Sequence, residues 1–209
     1  KQFDWKQNEA GQYVIWNNPF AQYVRADIDF SETFRLDYKN ALAFRIGAGV
    51  AIPYGNSEIL PFEKRYYAGG PNSVRGWKTR YLGPGTYNEG QEGNPVTHVG
   101  DITLISSLEY RFKAMKWFEP AFFVDAGNIW TIKDYTNQPG GKFHWDSFYK
   151  ELAVGSGIGL RFDLSFLIVR LDLATKLVDP ARLNGDKWVL GKHNFWRNSA
   201  WYIAIGYPF

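Results

Sequence analysis

The sequence predicts an all-β protein, specifically a transmembrane antiparallel β-barrel. Long segments alternate large apolar residues with small or polar ones, which is the period of a strand with two unlike faces. Aromatic residues make up 18% of the 209 residues, a high share for a soluble domain. No apolar run approaches the ~20 residues that a membrane helix needs. A chain of this kind crosses a membrane as a closed sheet, because only helices and barrels satisfy every backbone group in lipid.

The alternation marks six clear strands and a seventh at the end of the chain. Their predicted bounds are 22–38, 41–52, 101–114, 119–132, 150–163, 166–176 and about 199–209. Residues 1–18 hold a weaker candidate, in which Tyr13 and Ile15, with Phe3 and Trp5 before them, alternate loosely. The first run is far longer than the ~5–6 residues usual in globular strands, which favours a barrel over a soluble β-sandwich.

Each predicted strand has one apolar face and one mixed face. In the segment 41–52, Leu42, Phe44 and Ile46 begin the apolar face, and the opposite face carries Arg45 among Gly and Ala. Lipid-facing and lumen-facing residues alternate in this way along membrane β-strands. A β-sandwich would also alternate, with its polar face in water. However, the apolar faces here end in aromatic residues, as the girdles of membrane barrels do.

The last nine residues form the most regular of these patterns. One predicted face carries Trp201, Ile203, Ile205, Tyr207 and Phe209. Gly206 and Pro208 lie on the opposite face. Because Gly has no side chain to pack and Pro cannot donate to a ladder, strand pairing should be weak there. An ending of this kind, with an apolar strand and a terminal aromatic residue, resembles that of bacterial outer-membrane barrels.

The connections between the predicted strands alternate between short and long. The short turns are 39–40, 114–116 and 164–165, and the long loops are about 53–100, 133–149 and 177–198. Short periplasmic turns and long extracellular loops are the asymmetry of an outer-membrane barrel. We therefore predict one domain over 1–209, with a long extracellular or lumenal loop at about 53–100 and no second domain.

Composition and motifs exclude several other classes. The chain contains no Cys, which excludes disulfides and thiolate metal sites. A net charge of +3 is too small to predict a nucleic-acid partner. The three histidines lie in separate predicted loops without metal-ligand spacing, and a Gly-x-Gly-x-Gly run lies inside a predicted strand with no helix after it. We therefore expect no metal and no cofactor at His98, His144, His193, Gly155, Gly157 or Gly159.

A motif in the longest loop carries a family resemblance. Val74-Arg75-Gly76-Trp77 is similar to the Val-Arg-Gly-aromatic motif in the sixth extracellular loop of the BamA/TamA-type outer-membrane assembly superfamily, also called the bacterial surface antigen family. Two further stretches resemble the family in the same order, namely Ser107-Leu108-Glu109-Tyr110 and the Phe-x-Asp-x-Gly signature of Phe123-Val124-Asp125-Ala126-Gly127. With the terminal aromatic strand, the resemblance covers nearly all of 20–209.

Glu109 and Asp125 are predicted on the lumen face of adjacent antiparallel strands. Two carboxylates in such an interior need a cation, and a guanidinium can bind both through charge-assisted hydrogen bonds. Arg75 is the candidate, and the resemblance implies that this arginine is held inside the barrel by such acidic residues. Two alternatives remain: an ordinary exposed loop arginine, and a glycosidase-like acid and base pair. An arginine partner would keep both carboxylates ionised, which disfavours the second.

The resemblance implies a non-enzymatic barrel in the outer membrane of a Gram-negative bacterium. Family members insert client β-barrel proteins or pass polypeptides through the membrane, and a weak seam beside the terminal strand is the proposed template. The family barrel has sixteen strands and upstream POTRA domains, so this chain, with about 7–8 strands, resembles the C-terminal half. Expected partners are outer-membrane lipids, the client or translocated polypeptide, and the missing N-terminal barrel half or a second copy.

The sequence is also compatible with two other functions. The barrel could anchor a surface enzyme of the patatin-like phospholipase type, in which catalysis lies upstream of the barrel. It could also be a plain outer-membrane pore. The sequence preceding Lys1 would distinguish the first alternative, and ion conductance would distinguish the second.

Overall fold

The computed structural model describes residues 6–9, 11–16, 18–88, 94, 96–182, 186–189 and 195–209. A two-stranded hairpin comes first, and seven longer strands then form an antiparallel sheet in which each strand pairs with its neighbours along the chain. The strands are β1 (Val14–Ile15), β2 (Asn18–Pro19), β3 (Tyr23–Arg35), β4 (Asn40–Pro53), β5 (Ile102–Phe112), β6 (Phe118–Trp130), β7 (Ala153–Asp163), β8 (Ile168–Val178) and β9 (Ser199–Ile205). The predicted all-β architecture is confirmed.

The inner and outer faces of the sheet follow the predicted alternation. On β4, Ala43 and Ala51 are fully buried, whereas Ile46 between them points outward with 46% of its surface exposed. On β5 and β6, Glu109 and Asp125 are fully buried on the inner face. Exposed apolar side chains on one face and buried polar ones on the other are expected where lipid covers the outer face.

The strands β3 and β9 are the two edges of the sheet, so the part of the chain that the structure describes does not close into a barrel. β9 pairs seven residues with β8, whereas β3 pairs thirteen with β4. The other edge of β9 has no strand partner among the described residues. The described residues also contain no helix with the length and apolarity required to cross a membrane.

Two strand predictions need correction. The terminal strand ends at Ile205 rather than at 209, because Gly206 takes a φ of 82°, a left-handed conformation that turns the chain away from the extended path. Within 1–18, the residues that the structure describes contribute β1 and the first residue of β2, with a turn at Trp16, rather than a strand of spanning length. Phe3 and Trp5 lie outside the described residues.

The loop between β4 and β5 supplies much of the hydrophobic core. It contains a short 3₁₀-helix at Phe62–Lys64 and packs its apolar side chains against the inner face of the sheet. The loop members of this core are Leu60, Tyr66, Ala68, Val74, Trp77 and Leu82, and the sheet and its borders add Ala51, Ile129 and Ala153. The long loop is thus folded onto the inner face, where it positions the motif described next.

Candidate functional site

The tip of the long loop is buried against the sheet. Val74, Arg75 and Trp77 are all at most 3% exposed. The backbone N–H of Gly70 donates to the carbonyl oxygen of Trp77 at 2.8 Å, which brings the two ends of the loop tip together. Gly76 within this loop tip has a φ of 111°, a conformation that side-chain-bearing residues rarely adopt. The Gly of the motif is therefore required by the path of the backbone.

Arg75 binds Asp125 on β6 through three hydrogen bonds. Its Nε and Nη2 donate to the two carboxylate oxygens at 2.7 and 2.9 Å, which is the bidentate geometry that a guanidinium favours. The backbone N–H of Arg75 adds a third bond at 3.1 Å. The guanidinium also lies over the ring of Phe123, 3.4 Å from its centroid. Asp125 thus fixes the side chain and the backbone of the loop tip together.

Glu109 on β5 contacts three guanidinium groups. Arg75 donates from Nη1 to Oε2 at 3.1 Å, Arg161 donates to the same oxygen at 2.6 Å, and Arg111 donates to Oε1 at 2.7 Å. Glu109 is completely buried. Removing one partner from such a group leaves an uncompensated buried charge. The structure therefore brings Arg75, Glu109 and Asp125 together, with Glu109 shared among several arginines.

The buried cluster is larger than the trio considered from the sequence. Asp172 on β8 lies 3.5 Å from Nη1 of Arg75 and 2.9 Å from Nε of Arg170. The whole cluster holds four guanidinium groups and three carboxylates, namely Arg75, Arg111, Arg161, Arg170, Glu109, Asp125 and Asp172. Arg161, Arg170 and Asp172 belong to none of the motifs that point to Arg75, Glu109 and Asp125, although each alternates with apolar residues in the predicted strands 150–163 and 166–176. The available signal was charge on a predicted inner face.

Two glycines on the sheet make room for the loop tip. A Cβ at Gly155 on β7 would overlap the carbonyl oxygen of Arg75. A Cβ at Gly127 on β6 would overlap the carbonyl oxygen of Leu104 and lie 3.2 Å from Cγ2 of Val74. The Gly of the Phe-x-Asp-x-Gly signature and the first Gly of the Gly-x-Gly-x-Gly run thus allow close packing within the sheet and loop.

The terminal residues divide at Gly206. Trp201, Ile203 and Ile205 keep 65 to 80% of their surface exposed on the outer face of β9. After the turn, the rings of Tyr207 and Phe209 lie 4.3 and 5.5 Å from the guanidinium carbon of Arg111, an inner-face residue. The predicted shared face for all five residues is therefore wrong for the last two, because period-two alternation holds only while the backbone stays extended.

The histidines do not form a metal centre in the part of the chain that the structure describes. His98 is buried between the rings of Tyr81 and Tyr87, and its Nδ1 is hydrogen-bonded to the carbonyl oxygen of Gly83. No group of three or more His, Cys, Asp or Glu side chains suited to a metal occurs among the described residues. His193 lies outside them.

The family model for the Omp85 superfamily domain matches residues 9–209. The chain belongs to the Omp85 superfamily. This Omp85 chain is 28% identical over 154 residues to the outer membrane protein assembly factor BamA of Neisseria meningitidis serogroup B, covering 65% of this chain and 19% of that protein. It is 28% identical over 178 residues to the sorting and assembly machinery component 50 homolog A of Xenopus laevis, covering 79% and 36%. It therefore spans between about a fifth and little more than a third of these relatives.

A solved structure supports the barrel-type fold of this Omp85 chain. BamA from Haemophilus ducreyi lacking POTRA domains 1–3 has a TM-score of 0.58 and 24% sequence identity, over 75% of this chain and 32% of that one. At this identity the likeness concerns the fold. The family and the β-barrel fold class predicted from the sequence are confirmed, and the open sheet is consistent with a match to only part of the relative.

Proposed function

We propose that this Omp85 chain is the C-terminal part of a non-enzymatic outer-membrane barrel that inserts client β-barrel proteins or passes polypeptides through the membrane. Family membership supports this class, as do two relatives, an assembly factor and a sorting and assembly machinery component. The observation that carries the proposal is the position of β9 at an edge of the sheet, with no strand partner on its outer side among the residues that the structure describes. Free N–H and C=O groups on such an edge can add a strand from another chain.

The proposed template is weakly bound to the rest of the sheet. β9 has seven paired residues, compared with ten for β6 and β7, and its chain leaves the ladder at Gly206. Its outer face is strongly apolar, which suits a strand that meets lipid on one side. A client strand that pairs with β9 would therefore bury its backbone groups before it leaves for the lipid phase.

The loop clamp has a separate role in this proposal. Bonds from Arg75 to Asp125 and Glu109 keep the long loop inside the lumen, where the loop occupies the inner face and limits free diffusion. This occupancy disfavours a plain pore, because an open lumen would be required for substantial ion current. The described residues offer no observation that favours the anchor of a surface enzyme.

The proposed setting is the outer membrane of a Gram-negative bacterium. The apolar outer face of β3 to β9 would contact membrane lipids. The two free edges would be joined by the N-terminal half of the barrel or by a second copy of the chain. The client or translocated polypeptide would approach at the junction beside β9.

Site-specific crosslinking tests the proposed template. These 209 residues contain no Cys. Once any Cys elsewhere in the full-length protein is replaced by Ser, Ile203→Cys on β9 and Ile46→Cys on β4 each give a single thiol on the apolar outer face. In the full-length protein in liposomes, an unfolded eight-stranded outer-membrane barrel with one terminal-strand Cys should crosslink to position 203 during insertion. The matched thiol at 46 should react much less. Equal crosslinking at both positions, or none at 203 during successful insertion, would contradict the proposal.

A further inference from the structure

The sheet also donates hydrogen bonds to the loop tip, through the guanidinium of Arg170 on β8. Nη2 of Arg170 donates to the carbonyl oxygen of Pro71 at 2.9 Å and to Oδ1 of Asn72 at 2.8 Å. Arg170 is completely buried, and its Nε lies 2.9 Å from Asp172 on the same strand. A fully buried guanidinium that binds a backbone carbonyl fixes that carbonyl strongly, because charged hydrogen bonds exceed neutral ones in strength.

A second contact reaches the loop from the terminal strand itself. The hydroxyl of Tyr202 on β9 donates to the carbonyl oxygen of Trp77 at 2.6 Å. Trp201 and Ile203 on either side of it are exposed on the outer face, so Tyr202 is the inward-pointing residue at the centre of β9. The contact joins residues that are 125 positions apart in the sequence.

The register of the terminal hairpin places these contacts side by side. Asp172 on β8 pairs with Tyr202 on β9, and Arg170 pairs with Ala204. Asp172 in turn lies 3.5 Å from Nη1 of Arg75. The loop tip therefore lies between the carboxylates of β5 and β6 on one side and the hairpin of β8 and β9 on the other.

We propose that Arg170 and Tyr202 are positioning residues that hold the β8–β9 hairpin against the folded-in loop and so set the geometry of the open β9 edge. β9 is the strand with the fewest ladder partners in the sheet, so a contact outside the ladder has its greatest effect there. The functional consequence rests on the proposed template role of β9. The positioning itself does not, and the two are tested separately.

Hydrogen exchange of the full-length protein in liposomes tests the positioning. Tyr202→Phe removes only the hydroxyl, and we expect the amides of 199–205 to exchange about fivefold faster, as the loss of one hydrogen bond implies. Tyr110→Phe is the matched control, because its hydroxyl donates to Asn40 on the outer face of β4 and β5 and should leave 199–205 unchanged. Equal exchange in the two variants would overturn the inference.

The arginine is tested by a graded pair of variants. Arg170→Met removes every donor to the loop, whereas Arg170→Lys keeps the charge and one donor. We expect exchange in 199–205 to rise most in the Met variant and to be partly rescued in the Lys variant. If Arg170→Met fails to fold, Arg170→Lys and Tyr202→Phe still test the inference. Amide exchange in 199–205 at the wild-type rate in both variants would overturn it.

A client assay distinguishes positioning from general stability. The probe is an unfolded eight-stranded outer-membrane barrel diluted from urea, and its insertion rate is compared at equal amounts of folded catalyst. Tyr202→Phe should slow insertion severalfold while Tyr110→Phe does not. Faster exchange with an unchanged insertion rate would retain the positioning and reject the template role of β9. Unchanged exchange would reject the positioning whatever the insertion rate.

Discussion

Arg75 and Asp125 are joined by three hydrogen bonds, two from the guanidinium and one from the backbone amide of Arg75. Both side chains are at most 1% exposed. Because one carboxylate binds the main chain and the side chain of the same residue, the loop tip can leave the sheet only if all three bonds break. The pair therefore couples the position of the loop to the integrity of β6.

Removal of the Arg75 side chain should release the loop. Arg75→Ala leaves the Asp125 carboxylate without the guanidinium that it binds and removes one of the three cations around Glu109, so we expect the free energy of unfolding to fall by about 3–5 kcal/mol. Urea titration in detergent micelles measures the stability, and protease cleavage within the loop measures its release. Lys78→Ala, at an exposed residue that directly follows the loop tip, is the control. Similar cleavage in both variants would show that Arg75 does not hold the loop.

Neutralisation of Glu109 should cost at least as much as loss of Arg75. Glu109→Gln keeps the shape but leaves three guanidinium groups, those of Arg75, Arg111 and Arg161, without their shared carboxylate. A loss of about 3–5 kcal/mol in the free energy of unfolding is expected, as for other broken buried ion pairs. Urea titration beside Glu63→Gln, on the short helix of the loop, measures it. A loss below that of Arg75→Ala would mean that the arginines find other partners.

A methyl group at position 155 should displace the loop without any change in charge. The Cβ of Gly155→Ala would overlap the carbonyl oxygen of Arg75, and overpacking of this kind costs about 1–3 kcal/mol. The control is Gly47→Ala, where the nearest atom is a carboxylate oxygen of Asp29 at 3.2 Å, on a side chain able to move. Protease cleavage of the loop should rise only in the first variant. Equal protection in both would indicate that the sheet relaxes around the new methyl.

An arginine on the lipid-facing side of the sheet should reduce the yield of protein that folds into a membrane. Ile46→Arg places a charge where lipid is expected, at a cost of about 2–4 kcal/mol near the bilayer midplane. Ile59→Arg is the matched control, since Ile59 is 52% exposed but lies in the loop. The yield of folded, heat-resistant protein in liposomes should fall only for position 46. A greater loss of folded protein for Ile59→Arg than for Ile46→Arg would contradict the assignment of Ile46 to the lipid-facing side.

The sequence by itself determined the family and, up to the end of β9, the seven long strands and the two faces of the sheet. Alternation in runs such as that of β4 predicts both strand and face, because side chains of an extended chain point to opposite sides at every step. The loop motif and two strand signatures also indicated Arg75, Glu109 and Asp125 as a group. The charge of each residue and the motif around it are visible in the sequence, so the three residues can be identified before the fold is known.

Only the tertiary structure determined which charged side chains bind one another. Glu109 binds arginines 34 and 52 positions away as well as Arg111, two positions along its own strand, and no pattern in the sequence sets those distances. The same holds for Tyr202 and Trp77, which meet only because the loop folds back over the sheet. The sequence also did not determine which side of the sheet Tyr207 and Phe209 face, because the left-handed conformation of Gly206 ends the alternation. Register, side-chain direction and loop path together fix these contacts, and they exist only once the chain is folded.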